Sequence, residues 1–350
     1  MKKLMTSYLS AILIFLCASA TADACTSAIV SGKVTASGRP MLWKHRDTSC
    51  ESNFVERVPA ANGNHGYVAL FNAGDSLLTE AWIGVNDAGF AIMNTASYNL
   101  APDTTDYKDR EALVMAEALR KCSSVSDFER LLSTLPKPLG VQANFGVIDA
   151  QGNGAYFETH DYAFTKFDLA DAPDGIIIRT NFSVSGNDTD GYGYIRYDNA
   201  AHLLADKIKA KSLIPGDFTE GVSRSFYHSL LGCDAKADTI RWVVDQDFVP
   251  RFTSTASVVV ELGEDNDAVM WTALGYPPCA VVERATLDYV PENLRPLLPG
   301  HKAAASEEAI TRKRKAFPIK KGNGPRYIDM DYVRTADKEC HEKSMINYAR

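Results

Sequence analysis

The spacing of apolar and polar positions predicts mainly strands in the first third of the chain, behind an apolar leader. Short runs rich in β-branched and aromatic residues, bounded by glycine, proline or asparagine, are typical of strands. Such runs occupy residues 26–30, 41–43, 67–71, 78–85 and 90–92. The segment Asn86-Asp87-Ala88-Gly89 predicts a hairpin turn, because glycine supplies the positive φ that tight turns need.

In other segments the apolar residues recur three and four positions apart, which predicts helices. Helices are expected at 110–120, 125–135, 194–210 and 220–231, the second with an N-terminal signal at Ser126. Further strands are expected at 144–149, 155–158, 175–180, 257–261 and 268–274. Since no linker or repeat divides this series, it predicts one α+β domain of layered sheets and helices.

Residues 1–24 are typical of an export signal that is removed. Two lysines precede the apolar stretch 9–20, and Ala22-Asp23-Ala24 forms the small-residue pattern of a cleavage site. The stretch is shorter than the roughly 20 apolar residues that span a bilayer. We therefore expect cleavage before Cys25, a periplasmic or secreted protein, and no stable membrane insertion afterwards. Lipidation of Cys25 is the less favoured alternative, because lipoprotein signals usually carry an aliphatic residue where Ala22 stands.

Composition is that of an ordinary globular protein, with 45% hydrophobic and 23% charged residues. The net charge of -7 argues against a nucleic-acid partner. The histidines have no metal-binding spacing and no C-x-x-C pair occurs, so no metal and no cofactor is expected. We expect mostly unpaired, buried cysteines, a single domain over 25–335, a tail at 336–350, and a solvated basic run at 312–315.

Cleavage before Cys25 would place a thiol and a free α-amine on the same residue, which is a nucleophile with a base attached. An α-amine titrates near 7.7–8.0, so part of it is free base at neutral pH. The segment Trp43-Lys44-His45-Arg46-Asp47 follows a turn, and a hairpin would return it to the side of Cys25. There Asp47 would hold the α-ammonium, and Lys44 or Arg46 would favour the thiolate.

Three of these features together resemble the N-terminal-nucleophile (Ntn) cysteine hydrolases. They are Cys25-Thr26-Ser27, the turn Gly38-Arg39-Pro40, and a basic residue, Lys44, three positions before Asp47. The group includes choloylglycine (bile salt) hydrolases, penicillin V acylases and isopenicillin N acyltransferases. The resemblance continues in order through Asn86 to Phe90, Asn94, Asn144 to Glu158, Thr180-Asn181, Tyr194 to Tyr197, Ser257 to Val259 and Trp271 to Pro277, over roughly residues 25 to 280.

The resemblance implies a four-layer αββα fold with Cys25 at the open end of a sheet sandwich. It also implies that Cys25 is the nucleophile and that Asp47 orients its α-amine. Asn94 and Asn181 become candidate donors to an oxyanion, and Arg196 matches an active-site arginine.

The chain departs from the usual Gly-Arg-Asn-x-Asp pattern, so the active-site cation is either Lys44 or Arg46, and the sequence does not choose between them. Trp43, Tyr98 and Phe182 either line an acyl pocket or belong to the core.

These observations predict an exported hydrolase of linear amide bonds that works through an acyl-enzyme. The resemblance suggests small-molecule N-acyl amides as substrates: bile-acid conjugates, penicillin V-like amides or N-acyl amino acids. An acyltransferase and a dipeptidase with the same nucleophile are enzymatic alternatives. A non-catalytic exported lipoprotein or binding protein is the alternative of another class, and a homo-oligomer is compatible with the sequence.

Overall fold

The computed structural model describes residues 24–101, 109–187, 190–237, 239–263, 267–322 and 326–349. Its strands are β1 (Ala24–Val30), β2 (Met41–Asp47), β3 (Asn53–Val58), β4 (Tyr67–Asn72), β5 (Ile83–Asn86), β6 (Ala91–Ala96), β7 (Ala143–Ile148), β8 (Gly154–Thr159), β9 (Phe164–Asp168), β10 (Ile176–Arg179), β11 (Tyr227–His228), β12 (Cys233–Asp234), β13 (Trp242–Val244), β14 (Ser254–Glu261), β15 (Val269–Leu274), β16 (Val282–Thr286), β17 (Ile319–Lys320) and β18 (Arg326–Asp329). Its helices are α1 (Glu111–Lys121), α2 (Val125–Thr134), α3 (Tyr194–Lys209), α4 (Ala304–Ala316) and α5 (Met330–Tyr348). The predicted leader lies outside the described residues except for Ala24, which begins β1.

Two antiparallel sheets pack face to face. One has the strand order β10-β1-β2-β14-β15-β16, and the other has the order β3-β4-β5-β6-β7-β8-β9. The inner strands β1 and β2 lie against β6 and β7 of the opposite sheet. Because side chains alternate between the two faces of a strand, Ile29 and Leu42 point into the space between the sheets, where they join the largest apolar core.

Helices cover the outer face of each sheet. Helix α1 packs on β5 and β6, while α3 packs on β10 and α5 on β16. The sequence explains this arrangement, because α2 buries Val125, Phe128 and Leu132 at spacings of three and four. The layer order is therefore helix, sheet, sheet, helix, and the predicted α+β class with a four-layer αββα fold is confirmed.

Strand β2 is unusual for the middle of a sheet, because it is buried along its whole length and yet half of it is polar. Lys44, His45, Arg46 and Asp47 are each no more than 2% exposed. Burying such groups is costly unless every one of them finds a partner. A polar segment of this kind inside a sheet is expected at a functional site rather than in a core.

Two predicted elements are wrong. In place of the α-helix expected at 220–231, a π-helical turn at Asp217–Gly221 and a 3₁₀ turn at Val222–Arg224 precede the extended β11. The helical spacing of its apolar residues reflects the burial of Val222 and Phe226 in two different core clusters, and the chain becomes extended at Ser225. The expected strand at 78–85 begins only at Ile83, because the carboxylate of Asp75 accepts hydrogen bonds from the backbone of Thr79 and Glu80 and closes a turn.

The other helix and strand predictions are confirmed apart from their ends. The cap of α2 is Ser124, whose hydroxyl accepts from the backbone of Asp127, rather than Ser126. The domain boundary expected at residue 335 falls inside α5, which buries Ala336, Cys340 and Ser344.

The basic run at 312–315 is less solvated than the sequence predicted. It forms the last turn of α4, and Lys313 is only 2% exposed. Its ammonium lies 2.8 Å from the carboxylate of Glu51, which explains how the charge is accommodated.

Within the described ranges every cysteine is a free thiol, and four of the six are buried. No helix in these ranges is long and apolar enough to cross a membrane. The same residues contain no group of three or more side chains placed to hold a metal ion.

Candidate active site

Cys25 is the second residue of β1 and faces the space between the two sheets. Its strand partner in β2 is Arg46, so the two side chains lie on the same face. Cys25 is 5% exposed, and its backbone nitrogen donates a hydrogen bond of 3.0 Å to Oδ1 of Asn181. In the full chain this nitrogen belongs to the peptide bond with Ala24.

The surroundings of the Cys25 thiol favour its protonated form. Burial raises the pKa of the Cys25 thiol, and the Asp47 carboxylate adds to that effect. Lys44, a hydrogen bond from the main chain of Asp47, and Arg46 act in the opposite direction without overcoming it. A thiol in this environment needs a base before it can act as a nucleophile.

Arg196 and Asn181 hold the main chain on either side of this thiol. Arg196 Nη1 donates to the carbonyl of Cys25 at 2.6 Å and to Oγ1 of Thr26 at 3.0 Å. Arg196 Nη2 donates to Oδ1 of Asn181 at 2.7 Å. Nδ2 of Asn181 donates in turn to the carbonyl of Ala96 at 2.9 Å. The side-chain amide of Asn181 therefore positions Cys25, and its predicted role as an oxyanion donor stays a prediction.

A glycine allows Arg196 to reach this position. Gly193 has φ +88°, and a Cβ built on it would lie 2.4 Å from Arg196 Nη2.

Gly193→Ala is expected to displace the guanidinium and to lower kcat roughly 10- to 100-fold, because small displacements in an active site have such effects. Gly152→Ala is the matched control, since Gly152 has φ +84° and no atom near its Cβ position. Steady-state kinetics with a melting curve for each variant would test this, and equal loss of turnover in both would contradict it.

Asp47, the last residue of β2, stands beside the peptide bond that precedes Cys25, because its strand partner is Ala24. Its Oδ1 accepts from Ser254 Oγ at 2.6 Å, and its Oδ2 accepts from Arg251 Nη2 at 2.7 Å. Burial acts to raise the pKa of Asp47, but Arg251 and a hydrogen bond from His45 hold it well below its usual range. The surroundings of Asp47 therefore favour its charged form, at the strand position opposite Ala24.

Arg251 and Arg196 both lie near the carboxylate of Asp47. Burial, with the repulsion of Arg251, lowers the pKa of Arg196 to about 9. The carboxylate of Asp47 acts in the opposite direction, so Arg196 remains a cation at neutral pH.

Lys44 and Arg46 have different partners, and which of them is the active-site cation stays open. Lys44 Nζ donates to Oδ1 of Asn94 at 2.6 Å and to the carbonyl of Trp82 at 3.0 Å. Arg46 instead donates to Oδ1 of Asn53 and stacks over the ring of Trp82 at 4.3 Å. Of the two, Lys44 lowers the pKa of the Cys25 thiol more.

Asn94 in β6 binds Lys44 across the space between the two sheets. Its side-chain oxygen is occupied by the lysine, and it is 4% exposed. Its Nδ2 group makes no hydrogen bond to any residue that the structure describes. An amide donor of this kind, uncharged and fixed by its own oxygen, suits the stabilisation of a developing oxyanion.

The structure thus brings the seven predicted site residues into one cluster: Cys25, Lys44, Arg46, Asp47, Asn94, Asn181 and Arg196. Trp43 is not part of it, because it faces the helix layer and packs against Phe218, which makes it a core residue. Phe182 follows Asn181 and stacks on Tyr194, and Tyr98 packs edge-on against Tyr192.

Sequence reasoning missed Arg251, Ser254 and His45, which surround Asp47. Ser254 Oγ lies 2.8 Å from His45 Nε2 and donates to Asp47. A polar run directly before the predicted strand at 257–261 was the available signal. Its distance of more than 200 residues along the chain from Asp47 hid the connection.

A recess of about 1310 Å³ lies elsewhere, along the edge formed by β9, β10 and α3. Ser31 and Val34, which follow the far end of β1, help to line it, whereas Cys25 does not. The recess and the thiol therefore lie at opposite ends of the same strand.

A serine–histidine–aspartate arrangement also occurs away from Cys25. His65 Nδ1 lies 2.7 Å from Oδ1 of Asp87, and its Nε2 lies 3.0 Å from Ser123 Oγ. Backbone bonds join the same turns, from His65 to Arg120 and from Gly66 to Asp87. The histidine and aspartate side chains are 31% and 45% exposed, and neither described recess borders them. This arrangement ties surface turns together, and we assign it no catalysis.

The chain is similar to known proteins in its structure and not in its sequence. No family model and no curated protein matches the chain. A Caenorhabditis elegans N-acylethanolamine-hydrolyzing acid amidase ortholog is similar with TM-score 0.42 and 14% identity, over 67% of this chain and 92% of that chain. A mutant of conjugated bile acid hydrolase from Clostridium perfringens has TM-score 0.45 and 10% identity, over 76% and 93%. Penicillin V acylase from Agrobacterium tumefaciens has TM-score 0.44 and 14% identity, over 76% and 87%.

These three are Ntn hydrolases, the group that the sequence resembles. At these values the activity of a relative does not transfer to this chain, and the functional argument depends on the geometry around Cys25.

Proposed function

We propose that this chain is an exported amidohydrolase that cleaves linear amide bonds of small N-acyl compounds through a thioester on Cys25. The observation that carries the proposal is that the nitrogen of Cys25, and not only its sulfur, has a dedicated partner. Oδ1 of Asn181 accepts from this nitrogen at 3.0 Å and is itself fixed by Arg196. An α-amine that acts as a base must be held in a fixed direction, and this acceptor is already in place for it.

Removal of residues 1–24 would convert this nitrogen into a free amine. The amine would keep Oδ1 of Asn181 as an acceptor, and the carboxylate of Asp47 would lie beside it. Burial raises the pKa of the Cys25 thiol, so the thiol gains from the base that the cleavage supplies. Export and cleavage are thus part of the proposal, because without them the site has no base.

In the proposed reaction the amine takes the proton of the thiol, and the sulfur attacks the carbonyl carbon of the substrate amide. Asn94 Nδ2 donates to the oxyanion of the tetrahedral intermediate. When the C–N bond breaks, the ammonium returns its proton to the departing amine and leaves a thioester on Cys25. Water then attacks the thioester, with the α-amine again taking the proton, and the acid leaves with the thiol restored.

Asn94→Ala is expected to lower kcat roughly 100- to 1000-fold with little change in KM, because an oxyanion donor acts mainly in the transition state. The control is Asn86→Ala at the other end of the hairpin formed by β5 and β6. Asn86 is fully buried and bonds to the carbonyls of Leu119 and Cys122. It should lower the melting temperature and leave kcat within a few-fold. An Asn94→Ala enzyme with normal kcat would remove Asn94 from the mechanism.

The function is tested by expressing the full chain with its leader, purifying the exported protein and offering it a panel of N-acyl amides. The panel contains bile-acid conjugates, phenoxyacyl amides, N-acyl amino acids and dipeptides, with amine release as the readout. Release from at least one N-acyl amide supports the proposal. Turnover of dipeptides alone would indicate a dipeptidase, and products formed only by transfer to added amines would indicate an acyltransferase. No turnover, with Cys25 carrying lipid, would indicate the non-catalytic lipoprotein.

A further inference from the structure

We propose that Glu158 is a positioning residue that holds Asn181, and through it the nitrogen of Cys25, in the reactive geometry. The proposal rests on the proposed function. Glu158 lies in β8 of the opposite sheet and is only 1% exposed. Neither the sequence nor the resemblance points to such a role.

The carboxylate of Glu158 is filled by four donors. Its Oε1 accepts from Arg179 Nε at 2.8 Å and from the backbone of Val184 at 2.9 Å. Its Oε2 accepts from the backbone of Ser185 at 2.7 Å and from Ser185 Oγ at 2.5 Å. A buried carboxylate with this many donors is a strong and directional anchor.

These donors lie on both sides of Asn181. Arg179 is the last residue of β10, and Val184 and Ser185 follow a short irregular segment. One carboxylate therefore closes both ends of an arch, residues 179–185, that carries Asn181. We call this segment the Asn181 arch.

The middle of the arch is held separately. Asn144 Nδ2 donates to the carbonyls of Thr180 and Phe182, and the backbone of Ser183 donates to Oδ1 of Asn99. Loss of Glu158 should therefore loosen the arch rather than unfold it, which makes the proposal open to kinetic measurement.

A second route connects Glu158 to the nucleophile. The guanidinium of Arg179 stacks on Tyr156 at 5.3 Å, and the hydroxyl of Tyr156 lies 2.8 Å from Ser27 Oγ. Ser27 also donates to the carbonyl of Arg179 at 3.2 Å. Because Ser27 is two residues beyond Cys25 on the same face of β1, Glu158 is linked to the nucleophile strand as well as to Asn181.

Glu158→Gln tests the proposal with almost no change in shape. The NH2 group of the new glutamine would face a backbone N–H or guanidinium donor, although it needs an acceptor. The mismatch would displace the Asn181 arch. We expect kcat to fall roughly 10- to 100-fold, as for other small displacements of catalytic groups. The loss of the Asn181 acceptor should also shift the acidic limb of the kcat/KM profile to lower pH by about 0.5 unit, because a hydrogen bond to the ammonium favours its charged form.

Asp149→Asn is the matched control. Asp149 is a fully buried carboxylate at the other end of the hairpin formed by β7 and β8, and it accepts from the backbones of Val125, Gln151 and Asn153. Asp149→Asn should lower the melting temperature about as much as Glu158→Gln does, and should leave kcat and the pH profile unchanged. Equal kinetic effects in the two variants, or a Glu158→Gln enzyme with wild-type kcat and pH profile, would overturn the proposal.

Two further measurements keep the test decisive. If Glu158→Gln does not fold, Ser185→Ala is used instead, because it removes one of the four donors. A smaller loss of kcat in Ser185→Ala supports the proposal, and wild-type kinetics overturns it.

If the wild type turns over no amide, the proposed function fails by itself. The rate of alkylation of Cys25 by iodoacetamide, followed by peptide mass spectrometry against pH, then reports on the amine and thiol without a substrate. A changed profile in Glu158→Gln but not in Asp149→Asn supports the positioning role, and identical profiles overturn it.

Discussion

Cys25→Ala is expected to lower kcat at least about 10⁴-fold, the scale seen when a covalent nucleophile is removed. The side chain is small and lies at the start of β1, so we expect folding and export to continue. Cys25→Ser should also cripple turnover, because a hydroxyl is a weaker nucleophile than a thiol. Amine release from the best substrate of the panel, with a melting curve for each variant, measures both effects.

Cys122→Ala provides the control for this substitution. Cys122 is another buried thiol, 1% exposed, that belongs to the core between the sheets and α1. It should lose stability and keep its kcat. Turnover near the wild-type rate in Cys25→Ala would show that the thiol is not the nucleophile, whatever Cys122→Ala does.

Asp47→Asn is expected to lower kcat roughly 10²- to 10⁴-fold, the range associated with a group that serves a catalytic base. It should also lower the free energy of unfolding by about 2–4 kcal/mol, because Arg251, which is partly buried, would lose its partner. The stability part has a defined pH dependence. The folded pKa of Asp47 is depressed, so its contribution is complete above the ordinary pKa of an aspartate and is lost as the pH falls below it. Wild type and variant should differ most between pH 5 and 8 and converge in strong acid.

Glu220→Gln is the matched control for Asp47→Asn. Glu220 pairs with buried Arg224 at 2.8 Å, close to the 2.7 Å between Asp47 and Arg251, but lies outside the candidate site. Chemical denaturation should show a loss of stability in both variants, and kinetics should show a loss of turnover only in Asp47→Asn. Normal turnover in Asp47→Asn would mean that the carboxylate serves the fold alone.

The local part of the site could be predicted from the sequence. Cys25 and residues 43–47 are joined by a turn at Gly38, and strand alternation then places Lys44 and Arg46 on the face of Cys25. The choice between these two cations could not be made, because it depends on Asn94 and Trp82, which lie on the other sheet.

The distant part of the site could not be derived from local pattern. Arg251 reaches Asp47 only because β14 pairs with β2, and the order of strands in a sheet is decided by tertiary packing. The roles of Asn181 and Arg196 came from the resemblance, and their contacts with the main chain of Cys25 came from the structure. The helix expected at 220–231 is wrong for a related reason, since apolar spacing reports the burial of Val222 and Phe226 and not the backbone path between them.

The central claim is that an unblocked Cys25, as the first residue of the exported protein, carries the acyl group. It is tested most directly by stopping the reaction of the exported protein with its best N-acyl amide in acid and sequencing the N-terminal peptide by tandem mass spectrometry. We expect a chain that begins at Cys25 with a free amine and an acyl group on sulfur that disappears as substrate is exhausted. An active protein that begins elsewhere, has a blocked first amine, or carries the acyl group on another residue would contradict it.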